Sequence, residues 1–196
     1  MSIHFISPQD WQSQNWKNGG GITYQLARCD DAAGMRWRVS IAEVALDGPF
    51  SQFAGINRII LLLQGQGFCL HGVGDAPQVL DTALQPFAFA GESSIHCQLI
   101  NGPVRDFNLM TRRADIQASL QVLSSPPTPY PLTLAADTLL FVAKGKAAID
   151  YKGTDYQLET EHSLLLSNET GELQLSSGSA DMMVLLIHLS SGSNPD

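Results

Sequence analysis

The sequence predicts an all-β fold of two tandem jelly-roll barrels, on three observations. Helical periodicity is scarce: most apolar segments are short or alternate with period two, between Gly, Asp, Asn and Ser. Four prolines fall within the stretch Pro126-Pro-Thr-Pro-Tyr-Pro131 and divide the chain. The two sides of that division also echo each other. Ile59-Ile-Leu-Leu-Leu-Gln-Gly-Gln-Gly parallels Leu139-Leu-Phe-Val-Ala-Lys-Gly-Lys-Ala, with Gly65 falling on Gly145. Further on, the run from Leu80 parallels the run from Leu158, 15 and 13 residues after those glycines. A repeat of about 80 residues made of short antiparallel strands is how a double barrel reads.

Taken in order, the chain offers a short helix over residues 8–14, with Ser7 before Pro8 as an N-cap and first-turn pair. Strands are predicted at 36–44, 59–63, 67–71, 87–90, 95–100 and 106–111. These make an N-terminal barrel over residues 1–123, followed by a Pro-rich linker at 124–131. The C-terminal barrel, 132–196, carries strands at 132–134, 138–143, 147–151, 163–166, 171–176 and 182–189, and no evident site.

The whole chain has 196 residues, 44% hydrophobic and 15% charged, which is ample for a buried core. A formal net charge of −8 argues against nucleic acid and anionic membranes as partners. The start of the chain has no basic flank and apolar run of a signal peptide. Cys29, Cys69 and Cys97 form no CxxC, so a cytoplasmic location is expected. A homodimer is compatible with all of this.

Trp16-Lys-Asn-Gly-Gly-Gly-Ile-Thr23 is the most informative stretch. Three consecutive glycines offer backbone N–H groups and close approach. With Lys17 beside them they suit a small anion, although a hairpin tip would use the same residues. A second pattern runs Gly48-Pro-Phe-Ser-Gln-Phe-Ala-Gly-Ile-Asn-Arg58 and on to Gly65. It keeps the glycine frame of a cupin motif, G-x5-H-x-H-x3/4-E-x6-G, without its ligands. Ala54 and Ile56 occupy the histidine positions and Arg58 the glutamate position. Ala and Ile donate no lone pair and arginine repels a divalent cation, so the position is built for an anion held by a guanidinium fork.

Together with Trp37-Arg-Val-Ser-Ile-Ala42, Pro86-Phe-Ala-Phe-Ala-Gly91 and Asp106-Phe-Asn-Leu-Met-Thr-Arg112, these blocks resemble the HutD/Ves family. Those proteins are bacterial bicupins linked to histidine utilisation and, in the Ves branch, to environmental stress. The blocks run in order through the N-terminal unit; one departure is Ala54, where the family pattern has proline. The resemblance implies a cytoplasmic, metal-free bicupin without cofactor or established catalytic activity. It binds an intermediate of histidine breakdown, with N-formylglutamate and urocanate as the natural ligands.

Arg58 is the principal anion-binding candidate, on a strand whose neighbours Ile59 to Leu63 are apolar. On residues 106–112, Asp106, Asn108, Met110 and Arg112 share one face, which suits a partly polar cavity. Lys17, Asn18 and Thr23 complete the site from the glycine loop, and Trp16 walls it. A dicarboxylate would find anchors in Arg58 and Lys17. Trp37, Val39 and Ile41 share the face expected to be core, which leaves Arg38 on the exposed one. Cys69 and His71 share a face near His96 and Cys97, the one grouping with metal potential.

The leading function is therefore a metal-independent cupin that binds a small carboxylate, in an accessory or regulatory role. The rival is a metal-independent isomerase or deformylase, with Lys17 as base and Glu43 or Asp106 as acid. No nucleophile–base pair supports the rival.

Overall fold

The computed structural model describes residues 1–125 and 129–192. The chain opens with β1 (Ser2–Ile6) and a 3-10 turn at Pro8–Asp10, in which Asp10 accepts both the backbone N–H and the hydroxyl of Ser7. That turn is all that forms of the expected helix, because β2 (Gln12–Asn15) begins directly after it. Next come β3 (Gly21–Asp31), β4 (Gly34–Val44), β5 (Gly48–Pro49), β6 (Ile56–Gln64), β7 (Phe68–His71) and β8 (Gln78–Leu80). The first barrel closes with β9 (Phe87–Ala90), β10 (His96–Leu99) and β11 (Val104–Arg112). The second takes β12 (Ile116–Ser124), β13 (Tyr130–Thr133), β14 (Asp137–Lys144), β15 (Lys146–Tyr151) and β16 (Thr154–Glu159). It ends with β17 (Ser163–Ser167), β18 (Glu172–Ser177) and β19 (Met183–Ser191).

Both barrels are sandwiches with one strand order. In the first, a six-stranded sheet β2-β3-β4-β11-β6-β9 is matched with a four-stranded sheet β5-β10-β7-β8. In the second, the sheets are β1-β17-β14-β19-β12 and β13-β18-β15-β16. Strands β4 to β11 and β12 to β19 therefore repeat one eight-strand jelly roll, and the chain is an all-β bicupin. Gly65 and Gly145 sit at the same hairpin with φ of 104° and 77°. A Cβ on Gly65 would lie 2.8 Å from the Pro103 carbonyl oxygen, so both the turn and the close approach demand glycine.

Among the described residues, the compact units are Trp11–Ile116 and, for the second, Met1–Asp10 with the residues from Gln117 to Gly192. This corrects the expected boundaries at both ends. Strand β1 pairs antiparallel with β17, from Ser2 opposite Ser167 to Ile6 opposite Ser163, and β12 joins the same sheet. The predicted linker is also shorter than expected. Pro131 lies within β13, an edge strand where a missing N–H is tolerated, and residues 126–128 lie outside the described residues.

The second barrel is filled from side to side by Leu140, Val142, Ile149, Leu164, Leu175, Val184, Leu186 and their neighbours. The first concentrates its packing at one end, around Val44, Ile60, Leu62, Phe68, Leu70 and Val104. The other end is open.

Candidate functional site

That open end is a cavity of about 540 Å³, within the range of small-molecule sites. Its floor is the inward face of the six-stranded sheet. Strand β11 lies between β4 and β6, so its inward side chains stand in rows with theirs. Asp106 is opposite Ala42 and Leu62, Asn108 opposite Ser40 and Ile60, and Met110 opposite Arg38 and Arg58. The rim comes from Pro49 at the end of β5, from Phe50, Ser51 and Phe53 in the loop after it, and from the glycine loop between β2 and β3.

Arg58 is 7% exposed. Its Nε and Nη2 both donate to Asn108 Oδ1, at 3.1 and 2.7 Å. Its guanidinium carbon lies 4.9, 5.4 and 5.9 Å from the ring centres of Phe89, Phe50 and Phe53. Three aromatic faces stabilise the cation where water is scarce. Burial nevertheless lowers its pKa to about 10, a value at which it is still charged at neutral pH. Asn108 in turn donates Nδ2–H to Asp106 Oδ1 at 2.7 Å. That bond fixes the amide so that its oxygen faces Arg58. Burial pushes the Asp106 carboxyl up to about 7, against the opposing pull of Asn108 and Arg58. The cavity is thus lined by Arg58, Arg38 and Lys17 against one half-neutralised carboxylate, a local positive field in an acidic protein.

Several predicted residues line this cavity: Trp16, Lys17, Asn18, Thr23, Arg58 and Asn108. The Trp16 indole N–H donates to Thr23 Oγ1 at 2.8 Å, and its ring meets Phe50 edge to face. The glycine loop works differently from the expectation. Gly19 N–H donates to the Trp16 carbonyl and Gly20 N–H to Asn18 Oδ1, so neither amide is left for a ligand. A Cβ on Gly21 would sit 2.4 Å from the Glu43 carbonyl oxygen and 3.1 Å from the Trp16 ring. The glycines make a tight hairpin that holds Trp16, Lys17 and Asn18 at the rim.

Met110 and Arg112 are not among the lining residues. Met110 is fully buried, and its sulfur accepts from Arg38 Nη2 at 3.0 Å. Arg112 binds Asp115 at 2.6 and 2.7 Å and also grips Asp31, an ion cluster at the strand end. Glu43 does not line the cavity either, and pairs with Arg105 and Tyr24. Arg38, expected on an exposed face, turns into the cavity and lies 5.7 Å from the Phe53 ring centre. Trp37 is buried as expected, on the opposite face of β4.

The cupin metal positions do not fit a cation here. Ala54 and Ile56 offer no donor atom, and the third position holds the guanidinium of Arg58. Among the described residues, no three His, Cys, Asp or Glu side chains are placed to hold a metal ion. His71 faces His96 across β7 and β10, while Cys97 turns inward opposite Leu70. Burial, helped by Asp106 and Asp47, pushes the Cys97 thiol up to about 12, which removes it as a nucleophile.

Comparison with known proteins agrees with this architecture. The HutD family model matches residues 8–184. A Pseudomonas putida protein described as an uncharacterized 21.2 kDa protein in the hutC 3′ region is 36% identical, over 79% of this chain and 81% of its own. Protein Ves of Citrobacter koseri is 34% identical, over 79% and 87%. The crystal structure of a conserved protein of unknown function from Pseudomonas aeruginosa PAO1 superposes with a TM-score of 0.88 at 34% identity, covering 97% of this chain and all of that one. HutD from Pseudomonas fluorescens SBW25, described for a formate condition, gives 0.85 at 31%, covering 98% of this chain and all of that one. Among the described residues no helix is long and apolar enough to cross a membrane.

Proposed function

The chain belongs to the HutD family, and from that premise we propose that its N-terminal barrel binds a small carboxylate metabolite without a metal ion. The observation that carries this reading is Arg58, a buried guanidinium caged by three phenylalanines in a cavity with more positive than negative groups. Nη1 of Arg58 makes no hydrogen bond to the described residues, so one donor edge remains for a ligand oxygen. The rim adds the ammonium of Lys17 and the aromatic wall of Trp16.

The ligand class follows from where the relatives lie. A protein of the hutC region, together with the HutD name, supports an intermediate of histidine degradation, N-formylglutamate or urocanate. The protein acts as an accessory or regulatory binding protein of histidine utilisation, in the cytoplasm, rather than as a catalyst. Asp106, with its pKa near 7, is the one cavity group that favours the isomerase or deformylase alternative.

The test is a thermal-shift screen of chelator-treated protein against urocanate, N-formylglutamate, glutamate, formate and histidine. One of these acids raises the melting temperature saturably. A shift that appears only on adding a divalent metal contradicts the reading.

A further inference from the structure

We propose that Arg38 is a second anion anchor, so that the cavity selects dicarboxylates over monocarboxylates. This inference rests on the carboxylate reading of the cavity. Arg38 on β4 and Arg58 on β6 stand opposite the same residue, Met110 of β11. Their backbones are therefore level with each other and two strand spacings apart, about 10 Å. From there both guanidinium groups reach the same ring, lying 5.7 and 5.9 Å from the centre of Phe53. Phe53 belongs to the loop that rims the cavity, so the two cations meet beneath the cavity's edge.

The two arginines differ in what holds them. Arg58 has Asn108, with Asp106 behind it. Arg38 has only the thioether of Met110, a weak acceptor, and its Nε is buried with no hydrogen-bond partner. A buried, unpartnered guanidinium nitrogen is costly unless something supplies an acceptor. Arg28 stands opposite Arg38 on β3, but its fork is taken by Asp30 at 2.7 and 2.9 Å, so that pair brings no negative charge. Asp106 lies along β11 beneath Asn108 and makes no ion pair with Arg38. Arg38 and Arg58 also repel each other. Two anionic groups on one ligand would satisfy the Nε of Arg38, meet the open edge of Arg58 and remove that repulsion. Lys17, the second anchor expected from the sequence, stands exposed at the rim, whereas Arg38 lies deeper.

The experiment is calorimetry of the full chain with glutarate and with butyrate, which share a carboxylate on a three-carbon chain and differ by the second carboxylate. The wild type binds glutarate more tightly than butyrate. Arg38→Gln loses roughly 30-fold for glutarate and less than about 3-fold for butyrate, the scale of one charge-assisted hydrogen bond. Arg38→Lys retains most of the preference, which separates lost charge from lost folding, and Arg58→Gln weakens both acids. Equal weakening of both acids in Arg38→Gln, or wild-type affinity for both, overturns the assignment of Arg38. So does a wild type that binds the two acids equally, although the carboxylate reading then stands. A wild type that binds neither overturns both.

Discussion

The two barrels share one strand order and differ in what fills it. Aligned on Gly65 and Gly145, the inward face of β6 reads Arg58, Ile60, Leu62, and that of β14 reads Thr138, Leu140, Val142. The partner strand β11 brings Met110, Asn108 and Asp106, where β19 brings His188, Leu186 and Val184. In the second barrel Leu140, Val142, Val184 and Leu186 are at most 2% exposed and form one continuous core. In the first, an arginine, an asparagine and an aspartate hold each other in a chain and leave a cavity above them. The lesson concerns position. The jelly roll tolerates either filling at the same coordinates, and a polar floor there persists because each member satisfies the next.

The largest effect is expected from putting the first barrel's amide into the second. Leu186→Asn removes a buried side chain and adds an amide with no partner, at a cost of about 3–5 kcal/mol in urea unfolding. A loss below 1 kcal/mol would mean that the second barrel has room for polar groups after all. Next comes the hairpin that shapes the rim. Gly21→Ala drives a methyl into the Glu43 carbonyl and the Trp16 ring, so it destabilises by about 1–3 kcal/mol and weakens ligand binding by displacing Trp16.

The third prediction uses the carboxyl that the second barrel lacks. Burial raises the Asp106 carboxyl to about 7 in the folded protein, from its ordinary value of 3.8 when unfolded. The folded state binds the extra proton in that window, so this group's contribution to stability is fully present below about pH 4 and is lost as pH rises through 7. Asp106→Asn therefore gains stability over the wild type as pH rises from 5 to 8, in melting curves taken across that range. Ionised Asp106 also offsets the cavity's positive charge, and no histidine is among the lining residues. Carboxylate affinity accordingly falls roughly tenfold from pH 6 to pH 8, and the fall vanishes in Asp106→Asn. The smallest effect belongs to Arg112→Ala, which breaks the ion cluster with Asp31 and Asp115 and leaves ligand affinity unchanged in calorimetry.

How much of this was legible in the sequence depended on distance along the chain. Arg58 could be placed because the glycine frame from Gly48 to Gly65 fixes its strand and phase. Arg38 could not. Period two shows which residues share a face, but both faces of β4 are buried, Trp37, Val39 and Ile41 on one side and Ser40 and Ala42 on the other. The apolar face looked like the barrel interior, and the interior is the face that carries Arg38. The phenylalanine cage was hidden for another reason: Phe50 and Phe53 come from a loop and Phe89 from β9, and only the closed barrel gathers them. The pairing of β1 with β17 spans nearly the whole described chain, beyond any local pattern. The glycine amides looked available because the internal acceptors, the Trp16 carbonyl and Asn18 Oδ1, depend on turn geometry that composition does not encode.

The most direct measurement is calorimetry of chelator-treated wild type and Arg58→Ala with N-formylglutamate and urocanate. The account predicts saturable, metal-free binding of one of them by the wild type. Arg58→Ala should weaken it by roughly 2–3 kcal/mol, about two orders of magnitude, in a protein that still folds. Equal affinity in the two proteins, or binding that requires an added divalent ion, would contradict it.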